Sequence, residues 1–130
     1  MPERKMMQRD RASALLGMVV ERAEFGHAVV SMRLRDDMMN GHDITHGGFV
    51  FALADTAFAI ACNDDITPTL AAGADITFLK ATHAGQTLTA TAVERVVRGR
   101  SGIYDVTVVD ETADVVAEFR GRSRTLRGGS

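Results

Sequence analysis

Residues 46–62 read HGGFVFALADTAFAIAC, and the longest apolar run of the chain lies within them. We predict a helix from about Gly47 to about Cys62, because the polar residues 63–65 and then Pro68 follow it as stop signals. Apolar side chains would lie on every face of this helix. A helix that is hydrophobic all round is buried all round, so the sequence predicts a central helix within a core.

Strand patterns surround the predicted helix on both sides. Two segments before it and four after it have the alternation or the β-branched content of strands; they are residues 18–24, 28–35, 70–79, 87–97, 101–110 and 115–126. Six antiparallel strands can cover one helix by wrapping around it, which is an α+β arrangement. Because one curved sheet leaves part of the helix uncovered, we expect a second subunit to complete its burial.

Helix-forming residues also fill the N-terminal segment. A helix over residues 4–16, within an N-terminal helical region 1–16, would end at Gly17. No repeat, low-complexity linker or shift in composition divides the chain. We therefore predict a single domain over residues 1–130.

The overall composition is that of a globular domain and excludes several classes of protein. Hydrophobic residues make up 45% and charged residues 25% of the chain, and the formal net charge is −2. This balance excludes a disordered chain and lacks the basic surface of a general nucleic-acid binder. The apolar run is too short to span a bilayer, and no secretory signal is visible. With Cys62 as a single, buried cysteine, these features predict a cytoplasmic protein that binds neither nucleic acid nor membrane.

Asp55 lies in the middle of the predicted helix among apolar neighbours. Burying an unpaired carboxylate costs free energy or raises its pKa, and buried acids of this kind are enriched at functional sites. We therefore interpret Asp55 as a catalytic carboxylate. The alternative is a structural role, in which Asp55 faces a polar gap or forms an ion pair with an arginine.

His46, Gly47 and Gly48 stand at the predicted start of the same helix. Glycines let a ligand approach the backbone closely, and the free N–H groups of a helix N-terminus favour negative charge. Such groups are suited to stabilising an oxyanion. Two glycines also occur in flexible connections that bind nothing. The interpretation as an oxyanion site is therefore supported mainly by the acid on the same helix.

Other histidines and arginines permit further interpretations. His42, Asp43 and His46 could be metal ligands, but no second cluster of His or Cys accompanies them, and we predict no metal site. His46 is better interpreted as a hydrogen-bonding residue that fixes the loop at Gly47. The arginines around Gly99 could contact phosphate groups, or they could belong to a solvated hairpin.

These motifs resemble the hotdog-fold acyl-CoA thioesterases of the phenylacetic-acid-degradation (PaaI) type. The resemblance is carried by residues 40–63, continues through 75–80 and 99–106, and reappears at 117–123. It implies a six-stranded antiparallel sheet wrapped around a long central helix. It also implies subunits that pair their sheets edge to edge as homodimers, commonly assembled into homotetramers, with active sites at the dimer interface.

The resemblance further implies roles for individual residues. Gly47 would supply the backbone N–H that polarises the thioester carbonyl, and Asp55, reaching in from the partner subunit, would be nucleophile or general base on water. Asn40 would position the water or the carboxylate, and His46 would support the carbonyl end. The residues assigned to substrate binding are Gly48, Phe78, Arg98, Arg100 and Ser101. The loop formed by residues 98–101 would lie near the nucleotide end of coenzyme A.

Two positions depart from the family pattern. Some relatives place a Ser or Thr just before the third strand to orient the attacking water, whereas this chain has only apolar residues and glycine at 70–73. What replaces that hydroxyl near Ala71 is left open. Many relatives also have Pro after the Phe-Leu-Lys motif, where this chain has Ala81 and Thr82.

The function predicted from these residues is hydrolysis of phenylacetyl-CoA or hydroxyphenylacetyl-CoA type thioesters to the free acid and coenzyme A. No cofactor is expected, since coenzyme A is part of the substrate. A hotdog hydratase or dehydratase is an alternative, although such enzymes usually pair a His with an acid and the central helix contains no His. An acyl-CoA-binding protein without turnover is another alternative, although a buried acid would bring it no advantage. The sequence does not decide the exact acyl group, or dimer against tetramer.

Overall fold

The computed structural model describes residues 5–64, 66 and 68–126. The chain begins with two short helices, α1 (Lys5–Gln8) and α2 (Arg11–Leu15), and two strands, β1 (Val19–Glu24) and β2 (His27–Arg33). A 3₁₀ turn (Asp36–Met38) precedes the long helix α3 (Gly47–Cys62). Four strands follow: β3 (Thr69–Phe78), β4 (Thr87–Arg98), β5 (Ser101–Val109) and β6 (Val115–Thr125). The central helix and all the predicted strands are confirmed, and the strand ends differ from prediction by at most two residues.

The six strands form one antiparallel sheet in the order β1-β2-β4-β5-β6-β3. Helix α3 contacts every strand of this sheet, so the sheet curves around it. The α+β prediction of a six-stranded sheet wrapped around a long helix is therefore confirmed. The connection from β2 to β4 passes through α3 and β3, which places β3 at the far edge of the sheet from β1.

The side of α3 that faces the sheet forms the core with the inner faces of the strands. Its buried residues are Val50, Leu53, Ala54, Ala57, Phe58, Ile60, Ala61 and Cys62. The ring of Phe58 packs between Tyr104 and Phe119, with ring centroids 5.6 and 5.9 Å away. Gly121 lies directly beneath that ring: a Cβ there would be 2.7–2.8 Å from three ring atoms of Phe58. Close packing of the helix on β6 therefore requires a glycine at this position.

The opposite side of α3 is not covered completely. Ala52, Asp55 and Ala59 are half-buried, and Gly48, one turn earlier, is exposed. These residues follow the spacing of a single helix face. The expectation that one sheet leaves part of the helix uncovered is therefore confirmed for an isolated chain.

The N-terminal segment forms two short helices, so the single helix predicted over residues 4–16 is wrong. Asp10 interrupts it with an extended backbone (φ −83°, ψ 91°), and its side chain accepts a hydrogen bond from the Ser13 N–H at 2.9 Å. Aspartate is favoured at the N-cap because its short side chain bonds nearby backbone N–H groups, which competes with a continuous helix. The first residues of the predicted helical region, 1–4, lie outside the described residues.

The two edge strands of the sheet differ in how they could meet another chain. Strand β1 contains a bulge near Arg22 and carries Glu21 and Glu24, features that protect an edge from pairing. Strand β3 also has a bulge, between Ala71 and Gly73, but its ten residues include one charged side chain, Asp75, and Leu70 and Phe78 near its ends are exposed. A long edge of this kind is a template for pairing with a second chain.

We expect Gly121→Ala to lower the free energy of unfolding by about 1–3 kcal/mol, the usual cost of overpacking a core. The added methyl would meet the ring of Phe58, which is itself fixed between two aromatic rings. Urea denaturation measures the effect, with Gly41→Ala as control because nothing lies within 4 Å of a Cβ at Gly41. Equal stabilities of the two variants would contradict the packing described here.

Candidate active site

A cleft of about 470 Å³ lies at the N-terminal end of α3. Its walls come from the loop before α3, the first turn of α3, and the end of β3 with the residues that follow. The lining residues are Asn40, Ile44, Thr45, Gly47, Val50, Phe78, Leu79, Lys80, Ala81, Thr82 and Val116. Three of the predicted site residues, Asn40, Gly47 and Phe78, therefore line the same cleft.

The first turn of α3 leaves the N–H of Gly47 available. His46 is the N-cap residue, and its Nδ1 accepts a hydrogen bond from the Gly48 N–H at 3.2 Å. The Phe49 N–H donates to the carbonyl of His46 at 3.0 Å. Within the part of the chain that the structure describes, the Gly47 N–H has no acceptor. An N–H at this position, reinforced by the helix dipole, can donate to a negatively charged oxygen in the cleft.

His46 thus has the local hydrogen-bonding role predicted for it. Its Nδ1 is occupied as the acceptor of the Gly48 N–H. The imidazole is exposed and stands edge-on to the ring of Phe49, with ring centroids 6.2 Å apart. Gly48 is also exposed, and its N–H is used by this cap.

Asn40 organises the loop that forms one wall of the cleft. Its Oδ1 accepts hydrogen bonds from the N–H groups of His42, at 2.8 Å, and Ile44, at 3.4 Å. Its own N–H donates to the Ile44 carbonyl at 2.8 Å. Both contacts of the side-chain oxygen are to N–H donors, which fixes the orientation of the amide. Among the described residues, the Nδ2 group has no partner, so Asn40 offers the cleft a donor.

Phe78 lies directly against Gly47. A Cβ at Gly47 would be 2.9 Å from Cζ of the Phe78 ring, so the absence of a side chain lets the ring pack over the helix start. The ring itself is 52% exposed and forms the apolar lip of the cleft. The substrate-binding position predicted for Phe78 is therefore next to the predicted N–H donor.

Two ties that the sequence analysis missed hold the cleft walls together. The hydroxyl of Thr82 donates to that of Thr45 at 2.7 Å, and the Thr45 N–H donates to the Thr82 carbonyl at 2.9 Å. The ammonium group of Lys80 contacts Asp110 at 2.7 Å and Asp114 at 2.8 Å. The partners in each tie are some 30 or more residues apart, so no local pattern could have indicated them.

Of the two ion pairs of Lys80, the one with Asp110 involves a buried carboxylate. Asp110 is buried, and hydrogen bonds from Lys80 and Thr112 hold the pKa of its carboxyl well below the usual range. Hydrogen bonds to Asp110 and Asp114 raise the pKa of Lys80. The segment just after β3 is thereby fastened to the turn between β5 and β6.

Asp55 is half-buried on the partly uncovered face of α3. Over residues 5–64, 66 and 68–126, no side chain forms an ion pair or a hydrogen bond with its carboxylate. Burial raises the pKa of Asp55, and the negative charge of Asp10 raises it further. An ion pair with an arginine, one of the two forms of the structural alternative, is absent from the described residues. The carboxylate therefore has the raised pKa expected of a functional acid.

The predicted site residues occupy three separate places in one chain. Asp55 lies eight residues after Gly47, or about 12 Å along the helix axis, and it does not line the cleft. Arg98, Arg100 and Ser101 belong to the turn between β4 and β5. Ser101 shares a small hollow with Cys62, at the opposite end of α3 from the cleft.

The arginines near the β4–β5 turn differ in their ion pairs from the arginines in the middle of the outer face of the sheet. Arg120 and Arg122 form ion pairs with Asp105 and Asp75. Arg98 and Arg100 have no carboxylate partner among the residues that the structure describes. Their charges are therefore available to an anionic ligand.

No group of three or more His, Cys, Asp or Glu side chains is arranged to hold a metal ion in residues 5–64, 66 and 68–126. Over the same ranges, no helix is long and apolar enough to cross a membrane.

We expect Asp55→Asn to leave stability unchanged or to raise it at neutral pH. The pKa of Asp55 is raised in the folded chain, so its stabilising contribution is complete below the unfolded-state pKa and is lost as the pH rises through the folded-state pKa. The ionised carboxylate therefore opposes folding at neutral pH, and the gain in Tm should shrink in acid. Thermal denaturation at several pH values measures this. A structural ion pair would instead give a loss of about 3–5 kcal/mol on substitution.

Comparison with known proteins identifies the family. A model of the thioesterase superfamily matches residues 42–117. Acyl-coenzyme A thioesterase PaaI of Escherichia coli is 42% identical over 123 residues, which cover 95% of this chain and 88% of that protein.

Solved structures agree with the sequence match. The structure of the Escherichia coli PaaI protein from the phenylacetic acid degradation operon superimposes with a TM-score of 0.91 at 41% identity, covering 95% of this chain and 89% of that chain. A mutant of the phenylacetic acid degradation protein PaaI from Thermus thermophilus gives a TM-score of 0.86 at 37% identity, covering 90% and 100%. With the cleft at the start of α3 and the unpaired acid on the same helix, these matches show that the chain belongs to the thioesterase superfamily, is of the PaaI hotdog type, and is a thioester hydrolase.

Proposed function

We propose that this protein hydrolyses acyl-CoA thioesters with an aromatic acyl group, of the phenylacetyl or hydroxyphenylacetyl type, to the free acid and coenzyme A. One observation carries the proposal: a single helix presents a free N–H at Gly47 in a cleft and an unpaired carboxylate at Asp55. A thioester hydrolase needs both a donor for the carbonyl oxygen and a base or nucleophile. The coenzyme A part of the proposal is supported by the activity named for the Escherichia coli relative.

The lining of the cleft supports an aromatic acyl group. Ile44, Val50, Leu79 and Val116 provide apolar walls, and the Phe78 ring forms the lip. The volume of about 470 Å³ is within the usual range for small-molecule sites. An aryl ring on the substrate could pack against Phe78 in an offset or edge-on arrangement. The association of the Escherichia coli relative with phenylacetic acid degradation supports the same class.

A site built from two copies would bring Gly47 of one copy close to Asp55 of the other, although the two residues are far apart within one chain. The uncovered stripe of α3 and the long edge of β3, with its one charged residue, both favour association with a second chain. If a two-fold axis relates antiparallel copies of α3 at the level of Phe51, Asp55 lies opposite Gly47 of the partner subunit. We therefore propose a homodimer, alone or within a homotetramer, with two shared sites.

The same arrangement assigns the β4–β5 turn to the coenzyme A end of the substrate. This turn is level with the C-terminal end of α3, so in an antiparallel pair it lies beyond the start of the partner helix, towards the mouth of the partner's cleft. Arg98 and Arg100, which lack carboxylate partners in the described chain, would contact the phosphates. Ser101 has its hydroxyl bound by Arg124 at 3.0 Å and would position the turn.

In the proposed reaction the thioester carbonyl oxygen accepts a hydrogen bond from the Gly47 N–H, and the Nδ2 group of Asn40 positions the attacking water or the Asp55 carboxylate. Asp55 either removes a proton from an attacking water or attacks the carbonyl itself, in which case water then cleaves the mixed anhydride. In both cases the C–S bond breaks, the sulfur leaves as a thiolate that takes up a proton, and the carboxylic acid is released. Its raised pKa strengthens Asp55 in either role, and no cofactor takes part.

A substrate series tests the acyl group. We expect kcat/KM to be higher for phenylacetyl-CoA and hydroxyphenylacetyl-CoA than for straight-chain acyl-CoAs of the same carbon number, with free thiol measured as the product. An α,β-unsaturated acyl-CoA should not be hydrated, since α3 carries no histidine. Binding of acyl-CoA without release of thiol would contradict an enzyme and favour the non-catalytic alternative.

Mixing two inactive variants tests the shared site. Asp55→Asn should lower turnover by at least about 10²-fold, the lower limit for losing a general base. Gly47→Ala should lower kcat by up to about 10²-fold, because the Phe78 ring and the bound carbonyl must shift by about 1 Å. Gly41→Ala is the control for Gly47→Ala, because nothing lies within 4 Å of a Cβ at Gly41.

Co-expression of the Asp55→Asn and Gly47→Ala chains should then restore activity. Random pairing makes half of the dimers mixed, and each mixed dimer has one intact site, so about one quarter of the wild-type sites should return. No recovery in purified mixed dimers would contradict a site built from Asp55 of one copy and Gly47 of the other.

A further inference from the structure

Helix α2 packs against α3 beside Asp55, where the side chains of Ser13 and Thr56 are in contact. Ser13 is 4% exposed, and its Oγ lies 3.2 Å from Oγ1 of Thr56, the residue that follows Asp55. The same Oγ donates its one proton to Oδ2 of Asp10 at 2.7 Å, and Thr56 Oγ1 donates its own to the Ala52 carbonyl at 2.9 Å, so Ser13 and Thr56 meet in a packing contact. The carboxylate of Asp10 is therefore held next to the uncovered face of the central helix.

The cap of α2 does not require a charged residue at Asp10. Oδ1 of Asp10 accepts from the Ser13 N–H at 2.9 Å, a contact that the amide oxygen of an asparagine makes equally well. Two carboxylates near each other on a partly buried surface repel each other and cost stability. The charge at Asp10 is thus unnecessary for the cap of α2.

The charge of Asp10 does act on Asp55. Helix α2 and the strands of the sheet pack against α3. Among the charged groups that these described elements and their caps carry, Asp10 is the one that shifts the pKa of Asp55. Both burial and this charge raise that pKa. A carboxylate is a stronger base, and a stronger nucleophile, when its pKa is nearer the working pH.

We propose that Asp10 is a positioning residue for the hydrolysis: held over α3 by Ser13 and Thr56, its negative charge strengthens Asp55 as base or nucleophile. This inference rests on the proposed role of Asp55. It gives the N-terminal helices a function in the reaction, beyond covering part of the central helix.

The acid limb of the pH profile of kcat/KM tests the inference with Asp10→Asn. The variant keeps the cap and removes the charge, so Tm should hold while the midpoint of the acid limb moves to lower pH and the plateau falls. Glu21→Gln, an exposed change on β1 that removes the same charge, should leave the midpoint and the plateau as in wild type. The phosphates of the substrate titrate identically for all three proteins, so the difference between profiles reports Asp55. An unchanged midpoint in Asp10→Asn would overturn the proposal.

The salt dependence of the wild-type profile provides a second measurement that requires no variant to fold. Salt screens a repulsive neighbour, so the midpoint should fall as ionic strength rises. A midpoint that rises with salt would mean that a positive group acts on Asp55, and it would overturn the proposal. If Asp55→Asn abolishes turnover while neither Asp10→Asn nor added salt lowers the midpoint of the acid limb, the role of Asp10 fails and the role of Asp55 stands. If Asp55→Asn stays active, the proposed function fails first.

Discussion

The contact between α3 and the concave face of the sheet determines the other features of this structure. Sixteen helical residues with few polar side chains have to leave water together, and a sheet of six strands can enclose only one side of them. Close approach depends on small details such as Gly121, which leaves space for the ring of Phe58. What the sheet cannot enclose becomes the stripe on which Asp55 lies.

This constraint also separates the two halves of the chemistry. The start of a buried helix has a free N–H group where it meets the cleft, and the middle of the same helix carries the acid. A rigid helix keeps these groups about 12 Å apart, far more than the size of one thioester carbonyl. The homodimer proposed above would bring the donor of one copy and the acid of the other to the same atom.

Much of the fold could be predicted from the sequence because its signals are local. The apolar run from Phe49 gave the central helix with its correct ends, and alternation gave the strands. Asp10 shows the limit: its neighbours are helix formers, but its own side chain bonds the Ser13 N–H and divides the helix.

The candidate site was predictable only in part. His46, Gly47 and Asp55 are recognisable within one helix, whereas the ties from Thr45 to Thr82 and from Lys80 to Asp110 join distant segments that no periodicity connects. The side-chain amide of Asn40 illustrates a further difficulty, since only the folded loop decides which of its atoms remains free.

The lip of the cleft has a consequence for how such enzymes diverge. Phe78 and Leu79 are 52% and 58% exposed, and they follow a strand edge outside the core that encloses α3. Substitution of exposed residues usually changes stability little. Mutational drift at these two positions can therefore reshape the cleft while the helix, the donor and the acid stay in place. If the cleft binds the acyl group as proposed, substrate preference can change by substitutions at these two positions alone.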